Sequence, residues 1–271
     1  MKKAFFVSDL HGSKNRYEKL FSKIETDTPE LLFIGGDILP HLRITDHEEF
    51  IKSFLLPEFS KLKTKLGDKY PAVYLILGND DPRSSEYLIA EATESNYWHY
   101  MHQRKIQHGA FTIYGYAYIP PTPFLLKDWE RYDVSRFVDP GCIHPIDGIR
   151  TVDPDEDIEY ATIKDHLDEM TKDDDLSKAV FLFHSPPYQT KLDRAALDGK
   201  SFDHVPLDVH VGSIAIRRFI EKRQPLLTLH GHIHESTEIT GSWKDTIGET
   251  LMFNAAHHGQ DLSLIEFYLD N

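Results

Sequence analysis

Near its amino end the chain three times runs through a short apolar stretch and stops on side chains able to hold a metal ion. Residues 4–7 lead to Ser8-Asp9, with His11 two places on; residues 31–34 lead to Gly35-Gly36-Asp37; residues 73–77 lead to Gly78-Asn79. Between the first two runs, residues 14–24 carry Tyr17, Leu20, Phe21 and Ile24 at helical spacing, and residues 48–66 read as a second helix. Apolar strands alternating with helices predict a parallel sheet covered on both faces. Ligands of such sheets sit beyond the carboxyl ends of the strands, which is where all three polar clusters fall.

The second half repeats the habit. Residues 179–183 form an apolar run followed by His184, and residues 226–229 lead into His230-Gly231-His232-Ile233-His234. Between them Ser213 is a predicted N-cap for a helix reaching about Arg223. Residues 252–254 and 262–268 read as closing strands, with His257-His258-Gly259 in the turn. The segment at about 120–157 differs: it has Pro-Pro-Thr-Pro, many acidic residues and no sustained period. Its aromatics Phe124, Trp129, Tyr132 and Phe137 argue against disorder, so a lid or insertion over the site is expected. With no repeat, low-complexity tract or clear linker, residues 1–271 are expected to form one domain.

Taken singly, each cluster has an ordinary reading. Asp9-x-His11 can be a surface turn, Asp37 an Asx turn, Gly78-Asn79-Asp80-Asp81-Pro82 a plain turn, and His184 a structural histidine. Their chemistry also fits metal binding. Residues two apart on an extended strand end point the same way, so Asp9 and His11, or His232 and His234, can reach one ion. His230 faces with the latter pair unless Gly231 turns the chain. The two oxygens of Asp37 can serve two ions, and Asn79 offers a neutral carbonyl suited to a site already rich in charge. Imidazole favours Zn, Fe, Ni and Mn, while carboxylates favour harder ions.

Composition narrows the partners. With 30 Lys and Arg against 44 Asp and Glu, the net charge is −14, and no basic block exists to track a nucleic acid backbone. A small phosphate ester is not excluded, because a bound metal reverses the local field. Cys142 is the one cysteine, so no internal disulfide forms and nothing points to an oxidising compartment. The Met-Lys-Lys start and its short apolar run are broken at once by Ser8, Asp9 and His11, unlike a signal peptide. No apolar run approaches the ~20 residues that span a bilayer. A cytoplasmic location is expected.

The order Asp-x-His, Gly-Asp, Gly-Asn, His, Gly-His-x-His, each after an apolar run, closely resembles the calcineurin-like metallophosphoesterase superfamily. The resemblance runs from Asp9 to His234. It implies a four-layer αββα sandwich, two mixed sheets flanked by helices, and a dinuclear centre of Mn, Fe, Zn or Ni. By motif position one ion would take Asp9, His11, Asp37 and His234, and the other Asp37, Asn79, His184 and His232, with Asp37 bridging. Two such ions would lower the pKa of a shared water and supply a hydroxide able to attack phosphorus directly. One block departs from the pattern. The family's usual Gly-Asn-His followed by an acid is here Gly78-Asn79-Asp80-Asp81, so Asp80 stands where the family has a histidine that protonates the leaving oxygen or stabilises the transition state. Asp80 is expected to be ionised or turned away from the metals. Acid catalysis contributes ~10²–10⁴-fold, and its loss hurts esters with poor leaving groups most. His257, His258, Arg150 or the 120–157 segment can supply a stand-in donor; Gly212-Ser213 reads first as an ordinary N-cap and second as an anion site at a helix start, and Trp129 and Tyr132 read first as lid packing and second as a stacking surface. The expected activity is a phosphodiesterase on small esters; the alternative is a catalytically impaired binding or scaffold protein.

Overall fold

A computed structural model describes residues 1–41 and 46–270. Its strands are β1 (Lys2–Val7), β2 (Leu31–Gly35), β3 (Ala72–Ile76), β4 (His99–Tyr100), β5 (Arg104–His108), β6 (Phe111–Tyr116), β7 (Ala179–Phe183), β8 (Ser201–Phe202), β9 (Val205–Pro206), β10 (Leu227–His230), β11 (Lys244–Ile247), β12 (Thr250–Asn254) and β13 (Ile265–Leu269). One sheet has the order β13-β1-β2-β3-β4, the other β11-β12-β10-β7-β6-β5, while β8 and β9 form a small hairpin. Both large sheets are mixed. In the first only β13 runs antiparallel to its neighbour, and in the second β11 and β5 do. Every residue of β2 and of β7 is buried, as expected of strands covered on both faces, whereas β13 alternates buried and exposed at the sheet edge.

The sheets meet through β2 and β3 against β6 and β7. The main helices are α1 (Lys14–Asp27), α2 (His47–Phe50), α3 (Leu56–Leu66), α4 (Glu86–Glu91), α5 (Ile163–Thr171), α6 (Ile214–Arg223) and α7 (Ser236–Thr240). α1 packs on α3 beside the first sheet, and α5 on α6 beside the second, giving helix, sheet, sheet, helix. The expected single helix over 48–66 is instead α2 and α3 joined by a π turn at Ile51–Leu55. Pro57 has no N–H to offer the carbonyl one turn back, and the widened turn sits at that break.

Residues 120–157 are largely irregular but firmly seated. Lys127, Asp128, Trp129, Glu130, Arg131, Tyr132 and Asp133 are all buried, while Phe124 and Phe137 are exposed. Trp129 and Tyr132 therefore pack inside the protein and offer no stacking surface to a ligand. At Gly212-Ser213 the N-cap reading holds and the alternative anion site is filled from within. Ser213 does cap α6, accepting from the Ile216 N–H at 3.0 Å. The remaining donors there are taken by the protein's own Asp133, which accepts from the Ser213 hydroxyl at 2.5 Å and from the Ile214 and Ala215 N–H groups at 2.7 and 3.2 Å. Asp133→Ala leaves these donors without a partner and should cost about 2 kcal/mol of stability, read from urea unfolding at fixed pH. An unchanged midpoint would show that the cap is not needed.

Candidate metal centre

Parallel pairing places the carboxyl ends of β1, β2 and β3 on one edge. β7 joins that edge from the second sheet, because His184 Nδ1 lies 2.7 Å from the Gly35 carbonyl. That carbonyl can only accept, so Nδ1 carries the hydrogen and Nε2 points into the site. There Nε2 lies 3.3 Å from Asp37 Oδ2 and 3.0 Å from Asn79 Oδ1. The approach is close enough that a Cβ on Gly78 would overlap Asp37 Oδ1 and lie 2.6 Å from His184 Cε1. A Cβ on Gly231 would likewise overlap Asp9 Oδ2. Both glycines are there because side chains of neighbouring strands fill the space a larger residue would need.

The remaining candidates gather around Asp9. His234 Nε2 lies 2.9 Å from Asp9 Oδ1 and 3.2 Å from His11 Nε2. The His232 N–H donates to the Asp9 carboxylate at 3.1 Å, and the His232 ring sits 5.2 Å from that of His184. Asp9, His11 and His234 form one group whose ligand atoms lie within 4.8 Å of one another; Asp9, Asp37 and His184 form a second. Asp37 Oδ2 stands between, 3.3 Å from His184 and 4.0 Å from His11 Nε2. His232 belongs to neither group and meets them through its backbone and the face of its ring.

The local geometry differs from the extended segments expected. Asp9, His11, Asp37 and His232 have φ of 56°, 45°, 50° and 71°, in the left-handed region. Side chains converge here by tight turns beyond each strand, not by alternation along it. Four non-glycine residues in that conformation beside one another are strain held in place by the surrounding fold, a frequent mark of functional sites. His230 does not face the site. It ends β10, lies with Nδ1 2.9 Å from the Ser185 carbonyl and Nε2 2.7 Å from Thr228 Oγ1, and stacks on Phe183.

Electrostatics favour cations. Asp9 and Asp37 are both buried, which pushes their carboxyls up, yet His234 and His184 outweigh this and hold both below the usual range. Burial pushes His184 down, but the Asp37 charge and hydrogen bond carry it up to about 10. His234 is also raised, by Asp9 against its own burial. Burial and the charge on His184 drive His232 down to about 3. Protons on imidazoles thus do, between the carboxylates, what a divalent ion would do more fully. Carboxylate oxygens, imidazole nitrogens and one amide oxygen are a donor set that suits divalent cations.

Asp80 is not turned away. Its N–H donates to Asp37 Oδ1 at 2.8 Å, and its Oδ2 lies 3.2 Å from His41 Nδ1 and 3.8 Å from His11 Nδ1. Burial and the Asp37 charge push its pKa up, while His11, His41 and His184 pull it down. Asp81 is fully buried and serves structure: its oxygens accept from the N–H groups of Ile38, Leu39 and Gly78 at 3.1, 2.8 and 2.9 Å.

Two neighbours carried no sequence signal. His41 stacks on His11 at 4.8 Å, and Arg16 donates to the carbonyls of Asp9 and Gly259 at 2.5 Å each. Of the proposed stand-in donors, His258 lies beside the site, 5.3 Å ring to ring from His234, whereas His257 Nε2 is 3.1 Å from the Asp261 carbonyl. Trp129 donates from its indole to the Asp81 carbonyl at 2.7 Å, which seats the 120–157 segment against the loop after β3.

No curated protein sequence matches the chain. One solved structure shares 17% identity, covering 94% of this chain and 91% of its own at a TM-score of 0.55. A crystal structure of TT1561 from Thermus thermophilus shares 14%, covering 94% and 89% at 0.53. At these identities the likeness speaks for the fold. The sequence model of the calcineurin-like phosphoesterases matches residues 2–236, from β1 to the start of α7. With that match across most of its length and this constellation at the strand ends, the chain belongs to the calcineurin-like phosphoesterase family.

Proposed function

We propose that this metal-dependent phosphoesterase is a phosphodiesterase acting on small esters, with two divalent ions held by Asp9, His11, Asp37, Asn79, His184, His232 and His234. The observation that carries the reading is the meeting of two buried carboxylates with His11, His184 and His234 inside two overlapping groups, each within 4.8 Å. When bound, a pair of divalent ions supplies Lewis acidity and a water acidified toward neutral pH. The chain's own residues do the rest. Asp9 and Asp37 bring the negative charge that retains cations against water, and the Gly35 carbonyl fixes the His184 tautomer. Asn79 adds an oxygen without further charge.

The preference for diesters rests on Asp80. It sits where the family's proton-donating histidine would be, among carboxylates and imidazoles and about one-third exposed. A carboxylate in place of a proton donor repels the doubly charged monoester more than the singly charged diester, and an unaided alkoxide leaves poorly, so diesters and activated esters suit the site better than alkyl monoesters. The net charge of −14 disfavours nucleic acid. No helix among the described residues is long and apolar enough to cross a membrane, and a single cysteine accords with a reducing, cytoplasmic setting. One apolar core embraces both sheets, which supports a single domain with 120–157 inserted as a wall beside the site.

The test is hydrolysis of bis(p-nitrophenyl) phosphate against p-nitrophenyl phosphate across Mn²⁺, Fe²⁺, Ni²⁺, Zn²⁺ and Mg²⁺. Faster metal-dependent turnover of the diester is expected. Tight metal binding with no turnover of either would instead favour the catalytically impaired alternative.

A second expectation follows from the raised His184 and His234. Ligation requires neutral imidazole, so loading must expel their protons. Mn²⁺ affinity should therefore rise with pH up to about 10, where His184 loses its proton, and titration in buffers of different ionisation enthalpy should show proton release. Equal apparent enthalpies in all buffers would contradict it.

A further inference from the structure

The imidazole of His11 has two ends in different surroundings. Nε2 faces the candidate centre, 3.2 Å from His234 Nε2 and 3.9 Å from Asp9 Oδ1. Nδ1 is buried and has no hydrogen-bond partner among the described residues. A buried ring nitrogen left unsatisfied is costly and uncommon. Asp80 Oδ2 lies 3.8 Å from Nδ1, so a small rotation of either side chain closes the gap.

Asp80 is well placed for this. Its backbone is tied to Asp37, and its Oδ1 accepts from Asn79 Nδ2 at 3.1 Å, which turns Oδ2 toward the two imidazoles of His11 and His41. A ligating histidine almost always donates its other N–H to a carboxylate, carbonyl or water, fixing the tautomer and raising the basicity of the ligating nitrogen. His184 meets this requirement through the Gly35 carbonyl. For His11 the available acceptor is Asp80.

We infer that Asp80 is a positioning residue: its carboxylate takes the Nδ1–H of His11 and so presents Nε2 to a cation. This rests on the proposed role of His11 as a ligand. It assigns the aspartate in Gly78-Asn79-Asp80-Asp81 a task that a proton-donating histidine would not perform. His41 shares the same oxygen from the exposed side and is not required for the alignment.

The test uses the full chain stripped of metal and titrated with Mn²⁺ alone, beside ¹⁵N NMR of the histidine rings in the metal-free protein. Asp80→Ala should weaken one binding step by ~10–100-fold and abolish the Nδ1–H tautomer of His11. Asp80→Asn, which keeps an acceptor oxygen, should recover part of both. His41→Ala should leave both unchanged. With its side chain about one-third exposed, Asp80 is replaceable without unfolding, and thermal melting of the variant checks this. Wild-type affinity and tautomer in Asp80→Ala would overturn the inference, as would an equal loss in His41→Ala. A wild type that binds no Mn²⁺ at all sinks the ligand reading itself, which separates the two failures.

Discussion

Asp37→Ala should abolish phosphoester hydrolysis, lowering kcat/KM by about 10³-fold or more. Asp37 occupies the middle of the constellation, with Oδ1 accepting from the Asp80 N–H at 2.8 Å and Oδ2 lying 3.3 Å from His184 and 4.0 Å from His11. Removing it deletes a carboxylate whose oxygen lies between His184 on one side and His11 on the other. Metal-ion stabilisation of the transition state amounts to several kcal/mol, and each ~1.36 kcal/mol is tenfold in rate. The loss should persist at saturating metal if both sites are disrupted, and should shrink as metal is raised if only affinity is impaired. A variant retaining more than about a tenth of wild-type activity would remove Asp37 from the centre.

Asp81→Ala should lower folding stability by roughly 3–6 kcal/mol, since three buried N–H groups lose their acceptor at about 1–3 kcal/mol each. Its oxygens bind Ile38 and Leu39, beyond β2, to Gly78, beyond β3. They therefore hold together the two loops that carry Asp37 and Asn79. Burial and the neighbouring Asp37 charge push the Asp81 carboxyl up, against the pull of those three donors. Asn at this position keeps one acceptor oxygen and should recover part of the loss. Denaturant unfolding of the metal-free protein isolates the effect from metal binding. A destabilisation below about 1 kcal/mol would mean that water satisfies the loops instead.

The frame of the fold was legible because apolar runs of five or six residues ending in glycine and polar residues have few other uses. Residues 179–183 are β7 without a residue's difference, and the starts of β1 and β13 shift by only a few positions. The gathering of Asp9, His11, Asp37, Asn79, His184 and His234 followed from the same logic of aligned carboxyl ends. What was hidden is how it happens. No residue type announces positive φ at Asp9, His11, Asp37 and His232, since tertiary contacts impose it. Asp133 closing the N-terminus of α6 joins residues some eighty positions apart, beyond any local pattern. Composition also could not show that the polar Lys127-Asp128-Trp129-Glu130-Arg131 run is buried. There Lys127 pairs with Glu130 and also donates to the Thr122 carbonyl at 2.8 Å. His41 lay beyond reach as well, because it meets Asp80 and His11 only once the loops fold over one another.

The most direct test is anomalous diffraction from crystals equilibrated with Mn²⁺, collected on wild type and on Asp37→Ala. Two peaks ~3.5–4 Å apart should appear in the wild type, flanking Asp37, with His11 and His234 at one and Asn79, His184 and His232 at the other. In the variant at least one peak should vanish. Ordered crystals with no manganese between these side chains, or with peaks indifferent to the loss of Asp37, would contradict the proposed centre.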